Sequence, residues 1–175
     1  RKTIVFITHD LDEALKIGTR VVLMKDGQVV QIGTPEEIIS APATDYVKRF
    51  VEHVDKTKVM TANSVLVQPR AIAYLNDSPQ VTLQKMEDEN LSSLVVVTPV
   101  DQTLQGVVRL ETVNEAVARG DNSLEGIIER KVPEVTPKVS FTALINILAK
   151  WPLVLPVVDK QRRLQGIVVK GAILM

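Results

Sequence analysis

Leu104-Gln105-Gly106-Val107-Val108 returns 60 residues later as Leu164-Gln165-Gly166-Ile167-Val168. The match runs upstream without a gap, with Val96-Val97-Thr98 lying over Pro156-Val157-Val158. Each copy reads as an apolar strand, a polar turn and a second strand. A helical pattern precedes each copy, at residues 79–90 and at residues 140–150. Leu144, Ile147, Leu148 and Trp151 mark one face of the second. Short helical stretches follow, at residues 110–118 and from residue 171 onward. Self-similarity at a fixed period means two copies of one supersecondary unit, and such units bury their faces on each other. The expected fold is therefore α/β, with a β-α-β-β-α unit in tandem.

Upstream of the repeat, Ile4-Val5-Phe6-Ile7 is an apolar, largely β-branched run that predicts a buried strand. Thr8-His9-Asp10 follows at its C-terminal edge, where open α/β sheets place ligand chemistry. On residue type alone, a lone His9 is more often a structural cap than a reacting group. Leu11, Ala14 and Leu15 share one face of the next helix. Asp10 and Glu13 read as charges favourable to that helix's N-terminus. Residues 20–24 and 28–32 form two apolar arms around Asp26-Gly27, which predicts a hairpin. Thr34-Pro35-Glu36-Glu37 has the capping-box spacing, with Pro at the first helical position. A further helix is expected over residues 44–53, with His53 at its C-terminus.

The 175 residues are 45% hydrophobic and carry no net formal charge, enough for one or two small domains with a core. Aromatics make up only 3%, so aliphatic packing dominates. Cysteine is absent, which excludes a disulfide framework and thiolate metal sites, and two distant histidines argue against a histidine site; no metal ligand is assigned. No apolar run reaches the roughly 20 residues of a membrane span. No signal peptide is visible, and the abrupt start inside a strand pattern suggests a piece of a longer protein. Charge is uneven: residues 1–125 hold 13 Lys and Arg against 18 Asp and Glu, and residues 126–175 hold 8 against 3. The basic end is either a solvated surface or one that attracts an anion, such as a nucleotide phosphate or lipid headgroups. Lys160, Arg162, Arg163 and Lys170 form the candidate regulatory patch, the first three within one turn. No basic helix interleaved with aromatics is present, so DNA is not an expected partner.

The combination Ile7-Thr8-His9-Asp10, Glu13-Ala14, Asp26-Gly27 and Gln31-Ile32-Gly33-Thr34-Pro35 resembles the C-terminal end of an ABC-transporter ATPase domain. The tandem unit resembles a CBS-domain pair. It is carried by Val59-Met60-Thr61, by Val95-Val96-Val97 with the first repeat, and by Leu155-Pro156-Val157-Val158-Asp159 with the second. Joined in this order, with Asp45-Tyr46-Val47, Arg49-Phe50 and Lys170-Gly171, they resemble the ATP-binding subunit of bacterial glycine betaine/proline importers. The resemblance implies a truncated ATPase end at residues 1–55, one CBS domain at 56–118 and a second at 119–175, its last helix truncated. It makes His9 the switch-loop residue that meets the γ-phosphate of ATP in the full subunit. It also implies ATP and Mg in that subunit, a permease partner, and a peripheral place at the cytoplasmic face of the inner membrane.

Two departures bear on function. No Gly-rich phosphate loop with its Lys occurs in the chain, so His9 alone neither binds nor cleaves ATP. Nucleotide-binding CBS domains commonly place a hydroxyl and a carboxylate three and six residues after the last strand's Gly. Here those places hold Arg109 and Thr112 in the first copy, and Val169 and Ala172 in the second. Arg109 and Thr112 remain the candidate phosphate contacts. Pro69, Arg70 and the Lys138 region flank where an adenine would sit. Three functions stand: a regulatory module of a transport ATPase, an adenine-nucleotide sensor (cyclic dinucleotides included), or an ionic-strength sensor on anionic lipid. A homodimer is expected, through CBS pairs and through exposed edges near Ile4–Ile7 and Val21–Leu23.

Overall fold

A computed structural model describes residues 2–172, apart from the side chains of Lys56 and Ala172. The expected end of the last helix, toward Met175, lies outside the described residues. Contacts divide the chain into two units. One holds the residues up to Met60 together with Ser140–Thr142, and the other holds Thr61–Val139 and the residues from Ala143 on.

In the first unit, Asp10 caps helix α1 (Leu11–Ile17) by accepting from the Glu13 N–H. Strands β1 (Val21–Lys25) and β2 (Gln28–Gly33) pair antiparallel. Both turn residues between them have positive φ, Asp26 at 50° and Gly27 at 76°, as a hairpin matched to strand twist requires. Helix α2 (Pro35–Ser40) carries the full capping box: Glu37 N–H donates to Thr34 Oγ1, and Thr34 N–H donates to the Glu37 carboxylate. Helix α3 (Asp45–Val51) follows. Gln31 fixes the link between α2 and α3, donating to the Ala41 carbonyl and accepting from the Ala43 N–H. Leu15, Val21, Leu23, Ile38, Val47 and Val51 form the core of this unit.

Three expectations for this unit are corrected. Ile4–Ile7 is not a buried strand: Ile4, Val5 and Ile7 are 84–87% exposed, and no described strand pairs with the run. A run of this composition becomes a strand only against neighbours that satisfy its backbone and cover its side chains. Val21 and Leu23 are buried, so the half-exposed face of the hairpin is the alternate one, with Val22, Met24, Val29 and Ile32. Helix α3 ends at Val51 with Glu52 as its cap, leaving His53 in the following turn.

The second unit opens with a single helical turn, α4 (Ala62–Val65). The first repeat then runs β3 (Ala73–Tyr74), α5 (Pro79–Asp88), β4 (Ser93–Val97), β5 (Leu104–Arg109) and α6 (Leu110–Arg119). Strand β3 joins β4 in parallel, and β4 joins β5 antiparallel. The second repeat places helix α7 (Phe141–Lys150) before β6 (Leu155–Val158) and β7 (Leu164–Val168), an antiparallel pair ending in a 3-10 turn at Lys170–Ala172. A single parallel bridge, Val135 to Val157, stands where the first copy has β3. Ser78 caps α5 and Gly120, at φ 77°, ends α6 in the left-handed region. Pro152 follows the end of α7, as expected of a residue that cannot continue a helix, and the indole of Trp151 donates to the Val154 carbonyl.

The two copies exchange backbone. Val67, ahead of the first copy, bonds reciprocally with Ile167 of β7 at 2.9 Å each way, and Glu129, ahead of the second, bonds reciprocally with Val107 of β5. The hairpin turns also meet: Leu104 N–H donates to the Arg162 carbonyl, and Leu164 N–H to the Gln102 carbonyl. Gln102 and Arg162 are both left-handed, at φ 56° and 61°. The repeat's glycines permit this crossing. A Cβ on Gly106 would strike the Glu129 carbonyl, and one on Gly166 would stand 2.7 Å from Leu66 Cδ1 and 2.9 Å from the Val67 carbonyl.

Gly106→Ala is expected to cost more than about 2 kcal/mol, because φ 148° and a backbone neighbour both oppose the methyl. Gly120→Ala, left-handed but facing open space, is expected to cost only about 1 kcal/mol. Urea unfolding of both variants checks the ranking. Equal losses would remove the close approach as the reason for the glycine.

Candidate functional site

His9 lies exposed in a bend ahead of α1. Its neighbours are occupied structurally: Thr8 Oγ1 donates to Glu13 at 2.9 Å and accepts from the Asp10 N–H, while Asp10 caps the helix. These carboxylates position the turn, and no cluster of three or more metal-ligating side chains exists among the described residues. The implied ATP and Mg therefore find no fit here. One imidazole without a phosphate loop or a carboxylate cluster cannot hold them.

The second unit contains two clefts of different character. The larger, about 720 Å³, is walled by Val67, Leu94, Pro152, Val154 and Ile167. Arg70 and Lys170 are its charged lining residues, and no Asp or Glu lines it. Among the described residues, no carboxylate lies within 4 Å of either cation. Pro69 also lines this cleft, so two of the residues placed around an adenine by sequence are brought together; Lys138 is not among them. The size suits a drug-sized or nucleotide-sized ligand. Apolar walls suit a flat ring, and two cations without a carboxylate partner among the described residues suit an anion.

The smaller cleft, about 350 Å³, holds Arg109 and Thr112. Neither points free to a ligand. Arg109 donates to Glu129 through Nε at 3.1 Å and Nη2 at 2.9 Å, and Thr112 Oγ1 donates to the Arg109 carbonyl. Arg119, also in the lining, is paired with Asp121 at 2.9 Å. Sequence reasoning missed Glu129. Gly106 signals in the sequence only that some backbone passes close to β5; the structure shows that it is the segment at Glu129.

The basic turn between β6 and β7 is also partly neutralised. Arg162 makes a forked bond to Glu134, at 2.8 and 3.1 Å, and Arg163 bonds Asp159 at 2.7 Å. Burial pushes the Asp159 carboxyl up, but N–H donors from Arg163 and Gln161 outweigh it and hold the group below 3.8. With Lys160, this cluster of three cations and two carboxylates carries a net charge of +1. Lys170 stands apart, in the larger cleft.

No protein-family model matches the chain. It is 38% identical over 174 residues to the glycine betaine/carnitine transport ATP-binding protein GbuA of Listeria monocytogenes, covering 99% of this chain and 43% of that one. It is 41% identical over 173 residues to the glycine betaine transport ATP-binding protein OpuAA of Bacillus subtilis, covering 99% and 41%. The chain thus spans less than half the length of these curated relatives. Among solved structures, it resembles Staphylococcus aureus OpuCA with a TM-score of 0.57 and 22% identity, over 63% of this chain and 93% of that one. It resembles the CBS domain pair of MJ0100 in complex with 5′-methylthioadenosine and S-adenosyl-L-methionine, with a TM-score of 0.57 and 23% identity over 66% and 93%. CbpB in complex with c-di-AMP matches at a TM-score of 0.57 and 16% identity, over 65% and 81%. These matches bear out both resemblances read from the sequence: ATP-binding subunits of glycine betaine ABC transporters, and the α/β fold of a CBS pair. No helix among the described residues is long and apolar enough to cross a membrane.

A carboxylate held below its ordinary value stabilises the fold above the unfolded value and loses that contribution as pH falls through the folded one. The Asp159 contribution to the turn is therefore present above pH 3.8 and lost beneath it. Carboxyl carbon NMR should give a midpoint below 3.8, with the turn amides of Gln161 and Arg163 shifting along the same curve. A midpoint at or above 3.8 would contradict the bonding described.

Proposed function

We propose that the chain is the regulatory portion of the ATP-binding subunit of an osmoprotectant importer of the glycine betaine/proline type, and that its CBS pair responds to an adenine-type ligand. In this reading residues 1–55 are the end of the ATPase domain, and residues 56–118 and 119–175 are the two CBS domains. The parent subunit couples ATP hydrolysis, with Mg, to solute uptake through a permease partner, peripherally at the cytoplasmic face of the membrane. His9 meets the γ-phosphate there and is silent in this chain alone. The CBS pair assembles as a homodimer.

The observation that carries the ligand reading is the larger cleft, with Arg70 and Lys170 lacking a carboxylate partner among the described residues, apolar walls and no carboxylate in the lining. Methylthioadenosine, S-adenosylmethionine and c-di-AMP complexes of the same fold support adenine as the ring. The missing carboxylate at residues 112 and 172 argues for recognition through phosphate rather than through ribose hydroxyls. A second reading, release from anionic lipid as salt rises, is supported by the excess of basic residues over 126–175. Counted with Glu134, the turn that was to carry it has a net charge of only +1, and salt at 0.15 M shortens its reach to about 8 Å.

Calorimetry with AMP and with cyclic di-AMP, at low and physiological salt, separates the readings. The parent chain should bind one of them, and Arg70→Ala with Lys170→Ala should weaken binding at least tenfold, about 1.4 kcal/mol. The triple change of Lys160, Arg162 and Arg163 to Gln should leave that affinity unchanged. Binding to anionic vesicles that the triple change abolishes, with no nucleotide bound, would favour the lipid reading instead.

A further inference from the structure

The repeat makes two equivalent backbone positions and fills them with different chemistry. Arg109 and Val169 are equivalent across the 60-residue offset. Glu129 and Val67 are equivalent through their bonds to the matching strand residues Val107 and Ile167. In the first copy the pair is therefore Arg109–Glu129, an ion pair at 2.9 Å. In the second it is Val169 and Val67, which make no such bond and leave the larger cleft open between them.

Charge separates the clefts further. The larger one is lined by two cations and no carboxylate. The smaller one is lined by Arg109, Arg119, Glu115 and Glu129, and sums to zero. Both of its guanidinium groups already hold carboxylates: Arg109 holds Glu129, and Arg119 holds Asp121, with Glu115 at 4.0 Å. An anion reaching this cleft meets the Glu129 charge and finds each guanidinium already neutralised by a carboxylate. Displacing Glu129 from Arg109 also forfeits a charge-assisted bond from two guanidinium nitrogens.

We infer that Glu129 is a specificity-determining residue that keeps anionic ligands out of the first copy's cleft, so that the pair takes one ligand per chain, in the second copy's cleft. The inference rests on the proposed ligand reading for its occupant, but the role of Glu129 has its own test. With side chains 39% and 35% exposed, the Arg109–Glu129 pair contributes little to stability, and its variants keep the fold. Glu129→Gln removes one negative charge without changing shape. The smaller cleft then gains a net charge of +1 and a guanidinium held only by a neutral amide.

The experiment uses AMP as probe, with equilibrium dialysis for stoichiometry and amide NMR for location. In the parent chain, one AMP should bind, shifting Ala71 and Leu94 of the larger cleft and leaving Thr112 and Gly126 of the smaller one unmoved. In Glu129→Gln, Thr112 and Gly126 should shift too and stoichiometry should rise to two. In the double variant Arg109→Ala with Glu129→Ala, it should return to one. Shifts at Thr112 in the parent, or their absence in Glu129→Gln, overturn the inference. If Glu129→Gln shows Thr112 shifts while Ala71 and Leu94 move in neither protein, the Glu129 role stands and the ligand reading of the larger cleft fails.

Discussion

Backbone crossing between the two repeats is the constraint on which the second unit depends. Residue 67 pairs into the second copy, residue 129 pairs into the first, and the hairpin turns close on each other through the Gln102 and Arg162 carbonyls. Neither copy can satisfy its own outer strand without the other, since an unpaired buried N–H or carbonyl costs more than a typical bond contributes. The requirement falls on two glycines, whose bare Cα atoms let the crossing strands through. It also falls on two turn residues held at positive φ. The apolar residues of β4 and β5 and those of β6 then pack over this crossing: Val95, Leu104, Val107, Val154 and Val158 form one cluster that draws on both copies.

The same crossing sets up the chemistry. By passing residue 129 alongside the end of β5, it brings Glu129 into reach of Arg109, while residue 67 passes alongside Ile167 of β7. Backbone symmetry thus makes two clefts, and side chains make them unequal. One is apolar with two exposed cations; the other is spanned by an ion pair. In the proposed reading, such a pair of repeats carries a single receptive face on a duplicated frame, and its selectivity resides in residues that the duplication did not keep alike.

Much of the fold was legible because it is written locally. The capping box at Thr34–Glu37, the Asp26-Gly27 turn and the stop at Pro152 each depend on neighbours within a few residues, and each stands where expected. The 60-residue repeat exposed the pseudo-symmetry and with it the α/β class. The failures are non-local. Ile4–Ile7 has strand composition but no described partner strand, so composition alone could not make it one. Arg109 read as a phosphate contact because Glu129, 20 residues away, was invisible to local pattern. Arg162 read as free surface charge for the same reason, its Glu134 partner lying 28 residues upstream. Arg70 and Pro69 were named through the resemblance to CBS pairs, as residues flanking an adenine, and the larger cleft includes both.

The claim that both clefts rest on an interlocked pair of repeats is tested most directly by native-state hydrogen exchange at four of the crossing amides, Val67, Leu104, Glu129 and Leu164. If the crossing holds the unit together, all four exchange with one opening free energy, equal to that of the unit's core strands. If the amides of β5 and those of β7 instead open with separate free energies, the copies are independent and the account is contradicted.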